Sequence, residues 1–181
     1  DLLKTSAGYS RIQDDSLLGY SNDSSDQPCN DPKCNIGGIP IVSRLITFHL
    51  DASGSMAVIV SASGLSRMTM AKIDLINAIE ALKICKKPSP NCVKLQVVVF
   101  SNTSTNLFAR PIELTDVNKE RALQKIKKIR AGGATRPWSG LMSSVKNEDV
   151  SQIIVIGDGD TQGNKGYCPF TKTNIAWIDC I

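Results

Sequence analysis

The stretch HLDASGSM, His49 to Met56, follows an apolar run and places one aspartate and two serines at alternate positions: Asp51, Ser53 and Ser55. The apolar run Leu45 to Leu50 is suited to a buried strand. Alternate residues in a loop after a strand can turn their side chains to the same side, and the glycine between the serines allows a tight bend. The stretch therefore predicts a strand that ends in a cluster of one carboxylate and two hydroxyl groups.

Strand and helix patterns alternate along the chain after this stretch. Apolar spacing predicts the following elements: helices over Ser66 to Leu82, Asp116 to Ile129 and Pro137 to about Lys146, and strands over Val93 to Phe100 and Gln152 to Ile156. Asn106 to Leu114 is predicted as an edge strand interrupted by Pro111, and Gly132-Gly133 is predicted to end the second helix. This alternation predicts an α/β fold with a doubly wound, mostly parallel sheet flanked by helices.

Length and composition set the domain organisation. The chain has 181 residues, 41% of them apolar and 21% charged, with a net charge of +4, which is typical of one globular domain with an extension. Residues 1–43 are rich in Ser, Asp, Asn, Gly and Pro and are predicted as an irregular extension, and residues 44–181 as the α/β domain. No apolar run reaches the ~20 residues of a membrane-spanning helix, so no span is expected in this chain.

Six cysteines fall as three pairs that are close in sequence: Cys29 and Cys34, Cys85 and Cys92, Cys168 and Cys180. An even number with this spacing favours three local disulfides and an oxidising compartment, although six cysteines allow 15 connectivities. Six reduced thiols or a zinc site are the alternatives. Zinc is less favoured because the chain has no C-x-x-C and a single histidine.

The predicted sheet brings a second carboxylate toward the first. Ligands of open parallel sheets bind outside the carboxyl ends of the strands. Asp51 follows one predicted strand and Asp158 follows another, so the two acids converge if these strands are neighbours. A cation usually neutralises such a pair, and carboxylate and hydroxyl oxygens are hard ligands that suit Mg²⁺, Mn²⁺ or Ca²⁺.

These motifs together resemble the von Willebrand factor type A domain with its metal-ion-dependent adhesion site. The resemblance covers about Leu45 to Gly159 and rests on the Asp51-x-Ser53-x-Ser55 motif, the Gly-Gly-x-Thr loop that ends at Thr135, and the apolar strand that ends in Asp158-Gly159. It implies that Ser53 and Ser55 bind a metal ion directly, that Thr135 binds directly or through water, and that Asp51 and Asp158 act largely through bound waters.

The resemblance also implies a function. With few anionic oxygens on it, the ion stays electrophilic and can accept a glutamate or aspartate from a partner protein. We therefore expect a secreted, cell-surface or periplasmic adhesion or interaction module, such as a pilus-associated adhesin or a matrix protein. It is expected not to be an enzyme and to have no nucleic-acid partner, and a larger surface assembly is one context for it.

Several features depart from the family pattern. Gly157 stands where the family often has Thr or Ser, and Arg136 lies beside the metal motif, where it can compete with the ion or attract an acidic ligand. A complete domain of this family continues beyond the segment Asn174 to Ile181. Either the domain is incomplete or the amino-terminal extension substitutes for the rest.

Two other functions remain as alternatives. Haloacid-dehalogenase-like phosphatases also place an Asp nucleophile after the first strand, with a Ser or Thr such as Ser101 and a Gly-Asp pair such as Gly157-Asp158 after later strands. They expect a second aspartate where this chain has Ser53, and they do not explain Ser55 or Thr135. A structural scaffold with a vestigial metal site is the other alternative.

The remaining candidates have simpler interpretations. Arg136, Asp160 and Tyr167 are predicted to lie at the rim of the site and to contact the ligand. His49 is predicted to be a hydrogen-bonded strand residue. The basic run that ends the second helix is predicted to be a solvated face rather than an RNA contact: Lys125, Lys127, Lys128 and Arg130.

Overall fold

A parallel sheet forms the centre of the molecule. The structure is a computed structural model, and it describes residues 3–4, 10–11, 28–29, 34–87, 89–145, 151–158 and 174–179. Four strands lie side by side and parallel: β12 (Asn174–Asp179), β11 (Gln152–Gly157), β5 (Leu45–Asp51) and β8 (Lys94–Phe100), in that order across the sheet. The two predicted strands that carry the acids are therefore neighbours, and Leu50 pairs with Ile156. The predicted mostly parallel α/β sheet is confirmed.

Antiparallel strands flank the parallel core on both sides. Beside β8 lie β9 (Ser104–Asn106) and β10 (Ile112–Glu113). The predicted edge strand over Asn106 to Leu114, interrupted by Pro111, is present in part as these two short strands. Its start differs, because pairing begins at Ser104, directly after a tight turn. On the other side, β1 (Leu3–Lys4) pairs with β2 (Ser10–Arg11), which meets β12 at Trp177.

The remaining elements are short strand pairs and three helices. In chain order they are β3 (Asn35–Ile36), β4 (Ile39–Pro40), β6 (Ile59–Val60), β7 (Leu65–Ser66), α1 (Arg67–Ala81), α2 (Asp116–Lys127) and α3 (Trp138–Val145). All three predicted helices are present. The second ends at Lys127 and not at Gly132-Gly133, because those glycines belong to a loop described below. Among the described residues, no helix is long and apolar enough to cross a membrane.

The two faces of the sheet bury different side chains because residues alternate along each strand. One face packs with α1 and α2 in the main core, to which Phe48, Val97 and Ile154 contribute. The opposite face packs against α3 in a smaller core, to which Phe100 and Val155 contribute. The polar side chains of the central strand, including His49, lie on this second face.

Helices α1 and α2 each begin at a hydroxyl-bearing N-cap, and a lysine of each helix binds carbonyl groups near the carboxyl end of the other. Ser66 and Thr115 accept hydrogen bonds from backbone N–H groups in the first turns of α1 and α2. Lys72 of α1 donates to the carbonyls of Lys127 and Ile129 at the end of α2, and Lys119 of α2 donates to Glu80 near the end of α1 at 2.8 Å. A cation stabilises the negative end of a helix, so this exchange joins the two helices.

Two of the three predicted disulfides are present. Cys29 bonds to Cys34, and Cys85 bonds to Cys92. Cys168 and Cys180 lie outside the described residues, so their pairing stays a prediction. The two observed disulfides fit an oxidising compartment.

Part of the predicted extension packs into the main core. Four of its apolar residues are buried there: Cys34, Ile36, Ile39 and Ile41. Gln152, the first residue of β11, is buried and binds this segment: its side-chain oxygen accepts from Val42 N at 3.0 Å, and its amide donates to Pro40 O at 2.9 Å. The segment that precedes β5 is therefore attached to the sheet. The boundary after residue 43 stays a prediction.

Candidate metal site at the carboxyl ends of the strands

Asp51 is the last residue of β5, and its carboxylate holds the loop that follows. Its side chain is buried, and Oδ1 accepts a hydrogen bond from Ser53 N at 2.7 Å. Gly157 lies beside it on the neighbouring strand, where an added Cβ would stand 3.1 Å from Asp51 Oδ2. A threonine or serine at position 157 would therefore crowd the carboxylate, which gives the departure from the family pattern a physical reason.

The two serines of the motif bring their hydroxyl groups together. The Oγ atoms of Ser53 and Ser55 are 3.0 Å apart. Ser53 is buried and Ser55 is half-buried, because a short 3-10 turn over Gly54–Ala57 follows Ser53. Both hydroxyls thus point to one side of the loop.

The loop that carries Thr135 is joined to the serine loop by main-chain hydrogen bonds. Gly132 N donates to Ala52 O at 2.7 Å, and Gly54 N donates to Gly133 O at 2.8 Å. Gly133 has a φ of +89°, a conformation that residues with a side chain rarely adopt. These glycines allow the two backbones to approach closely, and they bring two loops that are far apart in sequence into one site.

A third loop supports this arrangement. Asn102, which follows β8, accepts a hydrogen bond on Oδ1 from Ala134 N at 2.7 Å, and Ser101 O accepts one from Arg136 N at 3.0 Å. Sequence analysis did not identify Asn102 as a site residue. An asparagine directly after a predicted strand was the available signal.

An open cleft of about 390 Å³ lies between these loops, and we call it the hydroxyl cleft. Its lining residues come from two loops: Ser53, Gly54, Ser55, Gly133, Ala134, Thr135 and Arg136. The structure thus brings three of the five predicted metal ligands to one surface, with Asp51 hydrogen-bonded to the loop beneath them. That these residues bind a metal stays a prediction.

Asp158 follows β11 and forms an ion pair with Arg67. The guanidinium Nη1 lies 3.1 Å from Asp158 Oδ2, and the side chain of Asp158 is only 1% exposed. Arg67 is the first residue of α1. We expected the repulsion between Asp51 and Asp158 to need a bound cation, but an arginine of the chain itself neutralises one of them. Sequence analysis missed Arg67 because it lies 91 positions from its partner.

His49 is a buried strand residue under α3, as its pattern predicted. Its Nε2 lies 2.9 Å from Ser144 Oγ, while Nδ1 has no hydrogen-bond partner within the described part of the chain. Burial lowers the pKa of His49 from 6.5 to about 4, so the ring is neutral at physiological pH.

Of the three residues predicted to contact a ligand at the rim of the site, the structure describes one. Arg136 is exposed and lines the hydroxyl cleft, whereas Asp160 and Tyr167 lie outside the described residues. The basic residues at the end of α2 are exposed, and Lys125 lies 5.5 Å from the centre of the Phe108 ring. This exposure fits a solvated face.

Comparison with known proteins gives structural matches only. No protein-family model matches the chain, and no curated protein matches its sequence. A von Willebrand factor type A protein from Catenulispora acidiphila matches 66% of the chain with 17% identity and a TM-score of 0.52. An aerotolerance-related membrane protein from Bacteroides fragilis matches 66% of the chain with 19% identity and a TM-score of 0.50. The conserved hypothetical protein BatB from Bacteroides thetaiotaomicron matches 65% of the chain with 22% identity and a TM-score of 0.50. The matches span 28%, 56% and 55% of those proteins. The parallel sheet, its flanking helices and these matches show that the chain has the fold of a von Willebrand factor type A domain.

Proposed function

We propose that this chain is a protein-interaction module that binds an acidic group of a partner through a divalent cation in the hydroxyl cleft. The observation that carries the proposal is the convergence of Ser53, Ser55 and Thr135, from two distant loops, on one open cleft beside the buried Asp51. Hydroxyl groups of three residues on one surface are a donor set for a hard cation.

The donor chemistry fits a magnesium, manganese or calcium ion. The described residues contain no group of three or more His, Cys, Asp or Glu that could hold a metal, so a cation here depends on neutral hydroxyl oxygens. Ser53 and Ser55 would bind it directly, Thr135 directly or through water, and Asp51 and Asp158 through waters. When bound, the ion supplies positive charge that attracts a carboxylate.

The surroundings of the cleft support an acidic partner. Arg136 is exposed at the rim and adds positive charge. The ribbon of β6 and β7 follows the serine loop directly, and Val58 N donates a hydrogen bond to Ser55 O at the junction. The apolar side chains of Val58 and Ile59 are exposed there. None of residues 52–66 is charged. An acidic side chain on an otherwise uncharged partner surface would match this face.

Two disulfides favour an extracellular, cell-surface or periplasmic location. In such a compartment the module would serve adhesion, for example as part of a pilus or another surface assembly. Asp160 and Tyr167 remain proposed contacts of the partner.

Calorimetric titration with Mn²⁺ and Mg²⁺ tests the proposal. Ser53→Ala should lower the affinity for Mn²⁺ by about tenfold or more because it removes a direct ligand, and Asp158→Ala should change it as well. Ser61→Ala, an exposed serine of the ribbon turn, is the matched control and should bind as the unaltered chain does. Equal heats for all four proteins would instead favour a scaffold with a vestigial site.

We also propose that the chain is not an enzyme. The Asp51 carboxylate is buried and accepts a hydrogen bond from its own loop, which suits a positioning role better than that of a phosphatase nucleophile. Incubation with p-nitrophenyl phosphate and Mg²⁺ should give no turnover. Turnover that Asp51→Asn abolishes would overturn the assignment.

A further inference from the structure

A second cleft, of about 240 Å³, lies at the amino ends of β5 and β8, opposite the hydroxyl cleft. Its polar lining consists of four cationic side chains and two hydrogen-bonding ones: Arg44, Lys83, Lys86, Lys87, Ser89 and Asn91. We call it the basic cleft. Arg44 directly precedes β5, and the other five residues belong to the connection between α1 and β8.

The three lysines of the basic cleft have no acidic residue in their own stretch of sequence. No aspartate or glutamate occurs from Ala81 to Ile112, and none lines the cleft among the described residues. Lys83, Lys86 and Lys87 are exposed. Like charges held together repel each other, and an anion bound between them relieves that repulsion.

The backbone that carries these cations is anchored at several points. The Cys85–Cys92 disulfide closes the connection, and Cys85 N donates to Leu114 O at 2.9 Å. Lys83 N donates to Pro28 O at 2.8 Å, and Lys94 N donates to Arg44 O at 2.7 Å. Binding would therefore order few groups beyond the lysine side chains, which favours affinity.

We propose that the basic cleft binds the sulfate groups of an anionic polysaccharide. Its volume is below the roughly 300 Å³ at which pockets for drug-sized ligands begin, so it suits one or two sulfate groups of a longer chain. No aromatic residue is among the described lining residues, so the cleft lacks the stacking surface that single-stranded nucleic acids use. The disulfides also favour a compartment outside the cytosol, where sulfated polysaccharides occur.

Titration with a heparin octasaccharide at 50, 100 and 200 mM NaCl, in the presence of EDTA, tests the proposal. The double variant Lys86→Ser/Lys87→Ser should lose about tenfold or more in affinity and show a shallower dependence on salt, because fewer counterions are released. Lys127→Ser/Lys128→Ser removes the same charge from two exposed lysines at the end of α2 and should stay within about twofold. EDTA removes the divalent cation, so the result does not depend on the hydroxyl cleft.

Three outcomes would overturn the proposal. An equal loss in both double variants would show attraction by net charge alone, and unchanged binding in the first would show that the cleft is not used. A single-stranded oligonucleotide of equal charge that binds as tightly as the octasaccharide would reject the polysaccharide as the ligand class. Circular dichroism of each variant checks that it is folded.

Discussion

The two clefts at opposite ends of the parallel sheet are built by different means. At the carboxyl ends, two glycine-containing loops are joined by main-chain hydrogen bonds, and Ser53 and Ser55 line the cleft between them. At the amino ends, a disulfide and hydrogen bonds to neighbouring segments hold a lysine-rich connection. Under the two proposals, one end binds a cation through oxygen atoms and the other binds an anion through cationic side chains.

The difference shows that the two ends of one sheet carry clefts of different composition, and we expect the two proposed binding reactions to be independent. Strands of seven residues separate the ends by about 20 Å. Exposed charges further apart than about 8 Å are largely screened at physiological ionic strength. A change at one end should therefore leave binding at the other unchanged.

Removal of the Cys85–Cys92 disulfide should have the largest effect on the basic end. The bond closes a loop with a sequence separation of 7, and Cys85→Ala/Cys92→Ala should destabilise the fold by about 2.5 kcal/mol, measured by urea unfolding. Affinity for the heparin octasaccharide should fall several-fold while affinity for Mn²⁺ stays the same. A matching fall in Mn²⁺ affinity would break the independence of the two ends.

Acid should weaken both ends together through His49 in the middle of β5. The folded-state pKa is about 4 against 6.5 unfolded, so the unfolded chain binds a proton that the folded chain excludes, and stability is lost as pH falls from 6.5 to about 4. In EDTA, protonation of His49 in the unfolded chain should lower the free energy of unfolding by about 2 kcal/mol between pH 7 and pH 5. His49→Gln should lack this contribution, and an unaltered pH dependence in that variant would contradict the assignment.

A methyl group at Gly133 should disturb only the carboxyl end. Its φ of +89° and the 3.1 Å approach of an added Cβ to Asn102 predict that Gly133→Ala costs about 1–2 kcal/mol and lowers Mn²⁺ affinity by displacing Thr135. Gly132→Ala is the control, because a Cβ there meets nothing within 4 Å. Equal effects of the two substitutions on unfolding and calorimetry would show that the conformation of Gly133 does not matter.

Loss of the arginine beside Asp158 should have the smallest effect and the opposite sign. The guanidinium of Arg67 competes with a cation for the Asp158 carboxylate, so Arg67→Gln should raise Mn²⁺ affinity about fivefold, which corresponds to about 1 kcal/mol. Lys86→Gln, at the other end of the sheet, is the control for net charge. A fall in affinity on Arg67→Gln would mean that the ion pair positions Asp158 for the metal and does not compete with it.

The central strands β5, β8 and β11 and all three helices could be predicted because their signals are local. The apolar runs that became β5, β8 and β11 and the helical spacing of α1 and α2 depend on neighbouring residues alone. The start of the edge pairing at Ser104 and the ribbon of β6 and β7 were not predicted. Two-residue strands are too short to show a period, and their pairing depends on contacts made elsewhere.

The residues of the candidate metal site could be proposed from sequence, but the arginine that neutralises Asp158 could not. The motif residues Asp51, Ser53 and Ser55 lie at alternate positions of one short stretch. Strand order explains why Asp158 follows the strand beside Asp51, and main-chain hydrogen bonds between loops bring Thr135 to the cleft that the serines line. Arg67 and Asn102 were missed because each acts on a residue far along the chain. A pairing of that kind has no local pattern.

Sequence alone determined the α/β architecture, the two local disulfides and the residues that present oxygen atoms, since periodicity and short spacing are properties of the chain itself. Only the tertiary structure decided that Arg67 neutralises Asp158, that main-chain hydrogen bonds join two loops far apart in sequence, and that four cations gather at the amino ends of the strands. The physical reason is that electrostatic and main-chain contacts depend on distances in space, and the distance between two residues in the sequence does not determine their distance in the fold.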